Sequence, residues 1–200
     1  MAQLPDPLTV RKADYPIETL FLKRWSPRSF SSQPITDSEL NSLFEAARWA
    51  PSTFNEQEWR YLYARNGDQH WPTFLNLLMP ANQTWCKNAS VLMVVMSKKT
   101  FTQNRKPNPV HTFDAGLSAE NLMLQAAAMN IITHGMAGFD REKTRTDLQV
   151  PDDYAVEAMI AVGRPGDPDQ LPPELREREK PSGRKKIQEF ARPGLFTFEG

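Results

Sequence analysis

The sequence has little of what several classes of protein need. It contains one cysteine, Cys86, and three scattered histidines, so an intrachain disulfide is impossible and a metal-binding cluster is not expected. No apolar run approaches the roughly 20 residues of a membrane-spanning helix. The 24 basic and 24 acidic residues give zero formal charge, which argues against nucleic acid or an anionic membrane as a partner. We expect a cytoplasmic protein without a secretory leader, in which any electrostatic function depends on local placement of arginines.

Glycine is also scarce and lacks the patterns that bind nucleotides in common folds. The nine glycines include no Gly-x-Gly-x-x-Gly string after a strand and no Gly-x-x-x-x-Gly-Lys string. These absences exclude the usual dinucleotide-binding and phosphate-loop motifs. Helical and strand patterns do not alternate regularly, so the sequence favours an α+β fold over a doubly wound α/β fold. Its 200 residues suit a single domain, with an N-terminal arm over 1–16 and a proline-rich C-terminal extension over 164–200 that wraps over a partner.

Hydrophobic periodicity predicts most of the regular elements. Thr36 and Glu39 form a capping-box pattern that begins a helix, and Pro51 follows the end of that helix. A helix over 114–129 is apolar on most sides, so we expect it to be central or to lie at a subunit interface. The polar segment 101–110 is predicted to be a loop able to act as a lid. The other predicted helices cover 17–23, 70–79 and 140–148, and the predicted strands cover 59–64, 90–97 and 154–163.

Arg24, Ser26 and Arg28 stand at alternate positions before the first firm helix. In an extended segment alternate side chains point the same way, and two guanidinium groups with a hydroxyl suit a phosphate. The other interpretation of the same pattern is a solvated basic loop, and spacing alone leaves both open.

Two further segments are equally ambiguous by themselves. Residues 51–57 place Ser52, Thr53, Asn55 and Gln57 in a proline-broken connection, which is either a polar turn or a ligand-binding loop. Residues 135–139 contain two glycines and form either a plain turn or a backbone edge that a ligand can approach. The histidines and Cys86 show no partner at catalytic spacing, so we interpret them as structural or exposed.

Taken in order, these segments resemble the signatures of the flavin mononucleotide (FMN)-dependent nitroreductase family. Residues 24–30 are similar to the family's Arg-x-Ser-x-Arg-x-Phe, and residues 50–59 are similar to its Ala-Pro-Ser-Ser-x-Asn-x-Gln-Pro-Trp. Residues 82–96, 114–124, 135–139 and 163–165 resemble later sections of the family, so the resemblance spans about 17–190.

The resemblance implies a central, mostly antiparallel sheet flanked by helices, in a homodimer that exchanges arms and builds two FMN sites at its interface. It implies a ping-pong oxidoreductase: NAD(P)H reduces FMN, which then reduces a nitroaromatic, a quinone or a similar small-molecule acceptor. No catalytic side chain is expected, because the cofactor carries the chemistry.

The resemblance also implies a role for particular positions. Arg24 and Ser26 would hold the phosphate and ribityl chain, and Arg28 would lie near the N1–C2 carbonyl edge, where negative charge develops on reduction. Residues 51–55 would reach the flavin of the other subunit, residues 136–138 would supply backbone contacts near N5, and two of residues 184–186 would complete the phosphate site. The implied cofactor-binding set is Arg24, Trp25, Ser26, Arg28, Pro51, Ser52, Thr53, Asn55, Gln57, Met136, Ala137, Gly138, Arg184 and Lys186.

Three departures from the family pattern stand out. Thr53 replaces a usual serine, Asn130 and Ile131 replace Gly-Leu, and Glu58 replaces the proline before Trp59 and puts an acid near the site. None removes an expected phosphate ligand. Two alternatives stay open: a flavoenzyme of the same fold with another reaction, such as reductive dehalogenation, and a flavin-binding protein without turnover.

Overall fold

A computed structural model describes residues 3–198 and centres on a four-stranded antiparallel sheet. Strands β1 (Trp59–Arg65), β2 (Val91–Lys98), β3 (Ile132–Met136) and β4 (Tyr154–Gly163) lie in the order β1-β2-β4-β3. The two central strands are buried along most of their length, as the apolar sequence of β2 predicts. The α+β prediction is confirmed.

Helices cover both faces of this sheet. They are α1 (Thr19–Lys23), α2 (Asp37–Arg48), α3 (Trp71–Leu77), α4 (Pro80–Cys86), α5 (His111–Ala128), α6 (Arg141–Asp147) and α7 (Pro173–Glu177). Side chains of β2 alternate between the faces: Leu92, Val94 and Met96 pack in the layer that includes α3 and α4, and the odd-numbered residues of β2 pack against α2 and α5. Short 3₁₀ turns add Pro7–Thr9, Thr53–Asn55, Pro168–Gln170 and Ile187–Glu189.

Helix α2 forms where its cap and apolar stripe predict. The Thr36 hydroxyl accepts a hydrogen bond from the Glu39 N–H at 3.2 Å, and the Glu39 carboxylate accepts one from the Thr36 N–H at 2.8 Å. This reciprocal capping box satisfies two otherwise unpaired backbone donors. Leu40 and Leu43 on the buried face then pack against Leu122 of α5. The two helices place the residues that follow α2 beside the start of α5.

Two predicted elements were wrong in their limits. The single helix predicted over 70–79 is two helices, because Leu78 is extended and Pro80 starts a new helix at a position where its missing N–H costs nothing. The turn predicted over 135–139 begins later, because β3 continues through Gly135 and Met136. An edge strand tolerates a glycine, whose lack of a side chain weakens the strand signal in the sequence.

The segment 24–31 is attached to the chain that follows β4. Ser31 donates its N–H to the Arg164 carbonyl at 3.0 Å, and Gly166 donates to the Ser29 carbonyl at 2.7 Å. A Cβ on Gly166 would lie 2.6 Å from the Phe30 carbonyl oxygen, so this close approach requires glycine. Phe30 is buried and stacks on Trp85 with a centroid distance of 6.0 Å. The backbone of the basic segment is therefore fixed from one side.

Within residues 3–198, none of the helices combines the length and the apolar character needed to cross a membrane.

Candidate functional site

Arg24, Ser26 and Arg28 face one cavity of about 290 Å³. Arg24 and Arg28 each have an ion-pair partner. All three residues belong to the segment that is hydrogen-bonded to the chain after β4. The cavity is lined by Arg11, Arg24, Trp25, Ser26, Arg28, His134, Arg178, Lys180, Ser182 and Arg184. The walls thus come from the N-terminal arm, the basic segment, β3 and the C-terminal extension, and we call this cavity the basic pocket.

Positive charge dominates the basic pocket although the chain is neutral. Six of its lining residues are cationic. Glu120 lies 3.6 Å from the Arg24 Nε, and Glu179 lies 3.9 Å from Arg28 Nη1. Burial lowers the pKa of Arg11, and the neighbouring Arg184 and Arg24 lower it further. Guanidinium groups held this close together favour a multiply charged anion.

His134 of β3 forms a neutral wall of the basic pocket. Its Nδ1 lies 3.0 Å from the Pro27 carbonyl oxygen and therefore carries the proton that donates to it. Burial lowers the pKa of His134 to about 4, and the charges of Arg28 and Arg24 also lower it. The ring lies 4.7 Å from the Trp85 ring. This histidine is a packed, uncharged group at neutral pH, as the sequence interpretation expected.

Arg184 and Lys186, both predicted to bind the phosphate, lie in different surroundings. Arg184 lines the basic pocket with Arg24 and Arg28. Lys186 is exposed, its backbone N–H donates to the Glu189 carboxylate at 2.6 Å, and it does not line the pocket. A phosphate role for Lys186 stays a prediction.

Several residues of the basic pocket were missed by sequence reasoning. Arg11, Arg178 and Lys180 reach the pocket from distant parts of the chain, and Glu179 holds the backbone of Arg28. No local pattern marks them, because the contacts join positions up to 171 residues apart. For Arg178, Glu179 and Lys180 the charged character of the C-terminal extension was the only sequence signal, and Arg11 had none.

Residues 51–57 form a strained loop between α2 and β1. Phe54, Asn55 and Gln57 have φ angles of 54°, 56° and 51°, in the left-handed region that disfavours side chains other than glycine. Each such residue costs on the order of 1–3 kcal/mol and persists only where the surroundings hold it. Gln57 donates its N–H to the Ser52 hydroxyl at 3.0 Å, which closes the loop. Pro51 is exposed, and Ser52 and Thr53 are half-buried.

This loop presents an aromatic ring to solvent. Phe54 is 89% exposed and touches Phe101 edge-on with a centroid distance of 5.8 Å. Phe101 belongs to the predicted lid segment 101–110, and the Thr102 N–H donates to the Glu56 carboxylate at 2.7 Å. The lid segment therefore rests on the strained loop, and its function as a lid stays a prediction.

A pair of buried carboxyl groups lies beneath the loop. Asp114 of α5 accepts the Thr53 N–H at 2.8 Å, and Glu58 accepts the Asn108 side-chain amide at 2.5 Å. Glu58 and Asp114 are 1% and 3% exposed. Burial raises the pKa of Glu58, and the neighbouring Asp114 carboxylate raises it further. The acid that replaces the family proline thus ties the loop to the base of segment 101–110.

Residues 136–138 present backbone at the end of β3. Met136 is buried, whereas Ala137 is exposed and Gly138 is half-buried. The Gly138 carbonyl accepts from the Met79 N–H at 3.0 Å and from the Asn82 amide at 2.9 Å. In the described chain, no acceptor lies within hydrogen-bond range of the Ala137 and Gly138 N–H groups. Both donors are available to a ligand.

The strained loop and the basic pocket lie on different sides of the molecule. The loop leads into β1 at one edge of the sheet, and the basic pocket includes His134 of β3 at the other edge. Three strand spacings separate these edges by about 14 Å. None of residues 51–57 lines the basic pocket. The two groups therefore do not converge within one copy of the chain.

The other reactive side chains in the described chain are buried or paired. His111 has partners that the sequence interpretation did not expect: its Nδ1 lies 2.6 Å from the Ser97 hydroxyl and 3.5 Å from the Glu157 carboxylate. Ser97 is 0% exposed, so no substrate can reach this hydroxyl. Burial raises the pKa of Cys86 well above its usual range, which excludes a thiolate nucleophile. The described residues contain no group of acidic, His or Cys side chains placed to hold a metal.

The donor set fits a phosphorylated ligand with a polar ring. Arg24, Arg184 and the Ser26 hydroxyl offer charge-assisted donors to a phosphate, and Arg28 adds a further cation to the same pocket. The unpaired backbone donors of Ala137 and Gly138 suit a heteroaromatic edge. Ala137 and Gly138 do not line the basic pocket, so their contact with the ring of the same ligand stays a prediction.

A family model described as the nitroreductase family matches residues 22–77 and 72–164 of this chain. These residues include the basic segment, the strained loop, the carboxyl pair and β3. The match covers more than half of the chain and leaves out the C-terminal extension.

Named relatives match over most of their own length. A Bacillus subtilis protein provisionally named NAD(P)H nitroreductase MhqN is 27% identical over 205 residues, covering 84% of this chain and 93% of the relative. A Thermus thermophilus NADH dehydrogenase is 25% identical over 183 residues, covering 75% of this chain and 87% of the relative. A crystal structure described as an oxidoreductase containing FMN superimposes with a TM-score of 0.91 and 41% identity, covering 94% of this chain and 97% of that one.

Proposed function

This chain belongs to the nitroreductase family, and on that premise we propose that it is an FMN-dependent NAD(P)H oxidoreductase that works as a homodimer. The observation that carries the proposal is the convergence of Arg24, Ser26, Arg28 and Arg184 on one cavity in a chain without net charge. The FMN content of the structure that is 41% identical supports the choice of cofactor.

In this proposal the basic pocket binds the phosphate of FMN. Arg24 and Arg184 supply charge-assisted donors, Ser26 supplies a hydroxyl, and Trp25 covers the side of the pocket. His134 is neutral at working pH and adds no charge. The pocket thus orients the cofactor by its anionic end, and its affinity for FMN depends on ionic strength.

At the ring end, the chain supplies one cation and two backbone donors. Arg28 would hold the N1–C2 carbonyl edge of bound FMN, and the N–H groups of Ala137 and Gly138 would be offered to its N5 side. FMN, when bound, supplies the redox chemistry: it takes a hydride from NAD(P)H and passes two electrons to an acceptor. A fixed cation beside developing negative charge favours the reduced form without reorganisation.

The second copy of the chain completes the site. Residues 51–55 and Gln57 lie at the other edge of the sheet from the basic pocket, so they reach a flavin only in a partner subunit. Phe54, Asn55 and Gln57 have strained backbone conformations that lower the stability of the chain. Such strain supports a role for this loop in binding. The end of the C-terminal extension carries exposed Phe190, Leu195 and Phe196, and it would bury these apolar side chains by wrapping over the partner.

The acceptor is a small planar electrophile such as a nitroaromatic or a quinone, and the protein acts in the cytoplasm. We expect a ping-pong cycle, in which the nicotinamide and the acceptor would occupy the same site in turn. Reductive dehalogenation and flavin binding without turnover are the competing activities.

An acceptor panel tests the proposal. Oxidation of NADH and of NADPH is followed anaerobically with a nitroaromatic, a quinone and a halogenated aromatic, and the products are identified. We expect nicotinamide oxidation with the first two acceptors and parallel double-reciprocal plots. Release of halide alone would instead assign the dehalogenation reaction, and FMN binding without any turnover would show a protein that has lost catalysis.

A further inference from the structure

One carboxylate of the C-terminal extension, that of Glu179, packs against the backbone of the basic segment 24–31. Glu179 follows α7 and is 5% exposed, although a carboxylate normally stays in water. Its Oε1 accepts hydrogen bonds from the Arg28 N–H at 2.7 Å, the Ser29 N–H at 2.8 Å and the Ser29 hydroxyl at 2.8 Å. One oxygen thus holds the backbone of the predicted flavin-binding segment from 150 residues away.

The other oxygen of Glu179 is not satisfied in the same way. Oε2 is buried and has no hydrogen-bond partner among the described residues. It faces Arg28 Nη1 at 3.9 Å, which is too long for a hydrogen bond but close enough for a strong charge interaction. A buried carboxylate oxygen without hydrogen bonds is costly, so the guanidinium is its main compensation.

Arg28 keeps its own donors free in this arrangement. Within residues 3–198, none of its side-chain N–H groups donates a hydrogen bond to protein, although the side chain is only 19% exposed. Burial lowers the pKa of Arg28, and the Glu179 carboxylate opposes that effect. Arg28 is charged with or without this carboxylate, and its guanidinium donors stay available to a ligand.

We propose that Glu179 is a positioning residue of the flavin site, which fixes the Arg28 backbone with Oε1 and offsets the Arg28 charge with Oε2, and thereby sets the reduction potential of the bound FMN. The inference rests on the proposed function, because it requires FMN beside Arg28. With Glu179 in place, the flavin edge meets a cation whose charge is partly balanced. Removal of the carboxylate charge leaves the full cation there and favours the reduced, more negative form of the cofactor.

Glu179→Gln separates the two roles. The glutamine keeps an oxygen that can accept the three hydrogen bonds of Oε1, and it replaces the charged Oε2 that faces Arg28 with a neutral amide group. The matched control is Glu177→Gln, since Glu177 is an exposed carboxylate of the same extension, and within the described chain it makes no ion pair. Both variants change the net charge by the same amount.

The experiment measures the midpoint potential of bound FMN by dye-coupled titration, together with the FMN dissociation constant and the thermal midpoint of the apoprotein. For Glu179→Gln we expect the reduction equilibrium to favour reduced FMN by on the order of tenfold, which is ~30 mV upward for a two-electron couple. The Glu177→Gln control keeps the wild-type potential. An unshifted or lowered potential in Glu179→Gln would overturn the proposal.

Two further variants keep the test decisive. Ser29→Ala removes one hydrogen bond to Oε1 without a change of charge, so it lowers the thermal midpoint and leaves the potential unchanged. If Glu179→Gln does not fold, Glu179→Asp is measured in its place. The side chain is shorter by one methylene, so the carboxylate lies farther from Arg28 and the potential rises by a smaller amount. A wild-type potential in Glu179→Asp overturns the proposal. Wild-type protein that binds no FMN would refute the proposed function itself, whereas FMN binding with unshifted variants refutes only the role of Glu179.

Discussion

Removal of the Arg24 side chain is the sharpest perturbation of the basic pocket. The side chain is 15% exposed, and its only ion-pair partner in the described chain, Glu120, lies 3.6 Å away and is 46% exposed. Arg24→Ala therefore leaves no buried charge without a partner, because water reaches Glu120. The Arg24 carbonyl still accepts the Arg11 guanidinium at 2.8 Å, so the pocket wall is kept. We therefore expect Arg24→Ala to weaken ligand binding and to leave folding intact.

The magnitude follows from the contact that disappears. A hydrogen bond to a charged group contributes about 1.5–3 kcal/mol, which weakens binding by roughly 10- to 150-fold at 1.4 kcal/mol per factor of ten. FMN fluorescence quenching, titrated into apoprotein at fixed salt, measures the dissociation constant directly. The control is Arg48→Ala, which removes an exposed arginine paired with Glu45. If Arg24→Ala binds FMN within twofold of the wild type, the reasoning about the phosphate site is wrong.

Three other predictions concern the ring edge, the buried acids and the assembly. Arg28→Ala lowers the midpoint potential of bound FMN more than it lowers occupancy, because the cation beside the developing charge is lost; an unchanged potential in a redox titration contradicts that position. Because its folded pKa is raised, Glu58 holds its proton to higher pH in the native state, so stability falls as pH rises from the ordinary Glu value through the raised one. Glu58→Gln flattens this dependence of stability on pH in a series of urea unfolding measurements, and an unaltered slope rules out the raised pKa of Glu58. Light scattering should give twice the 22.8 kDa chain mass, and a flavin-loaded monomer would refute the shared site.

Short sequence patterns predicted those elements that are stabilised by contacts between neighbouring residues. The Thr36–Glu39 cap and the apolar stripe behind it predicted α2, and the apolar segment Tyr154–Gly163 predicted the limits of β4. The alternate spacing of Arg24, Ser26 and Arg28 likewise indicated one shared surface, and the structure places all three on the basic pocket. In each case the physical cause lies within a few residues of the pattern.

The remaining features depend on contacts that no short window contains. The end of β3 was not predicted, because Gly135 in a short edge strand gives the same sequence signal as a glycine in a turn. Only the pairing with β4 distinguishes the two. Glu179 reaches Arg28 across 151 positions, and the burial that makes it important exists only after the extension folds back. Glu58 was noticed as a departure from the family pattern, but its pairing with Asp114 required the packing of α5 against the loop.

The absorption spectrum of the purified chain tests the central claim most directly. The account predicts a yellow protein with an oxidised flavin spectrum, close to one FMN per chain after reconstitution, that bleaches when NADH or NADPH is added without oxygen. A colourless protein that takes up no FMN at low salt, where the basic pocket attracts anions most strongly, would contradict it.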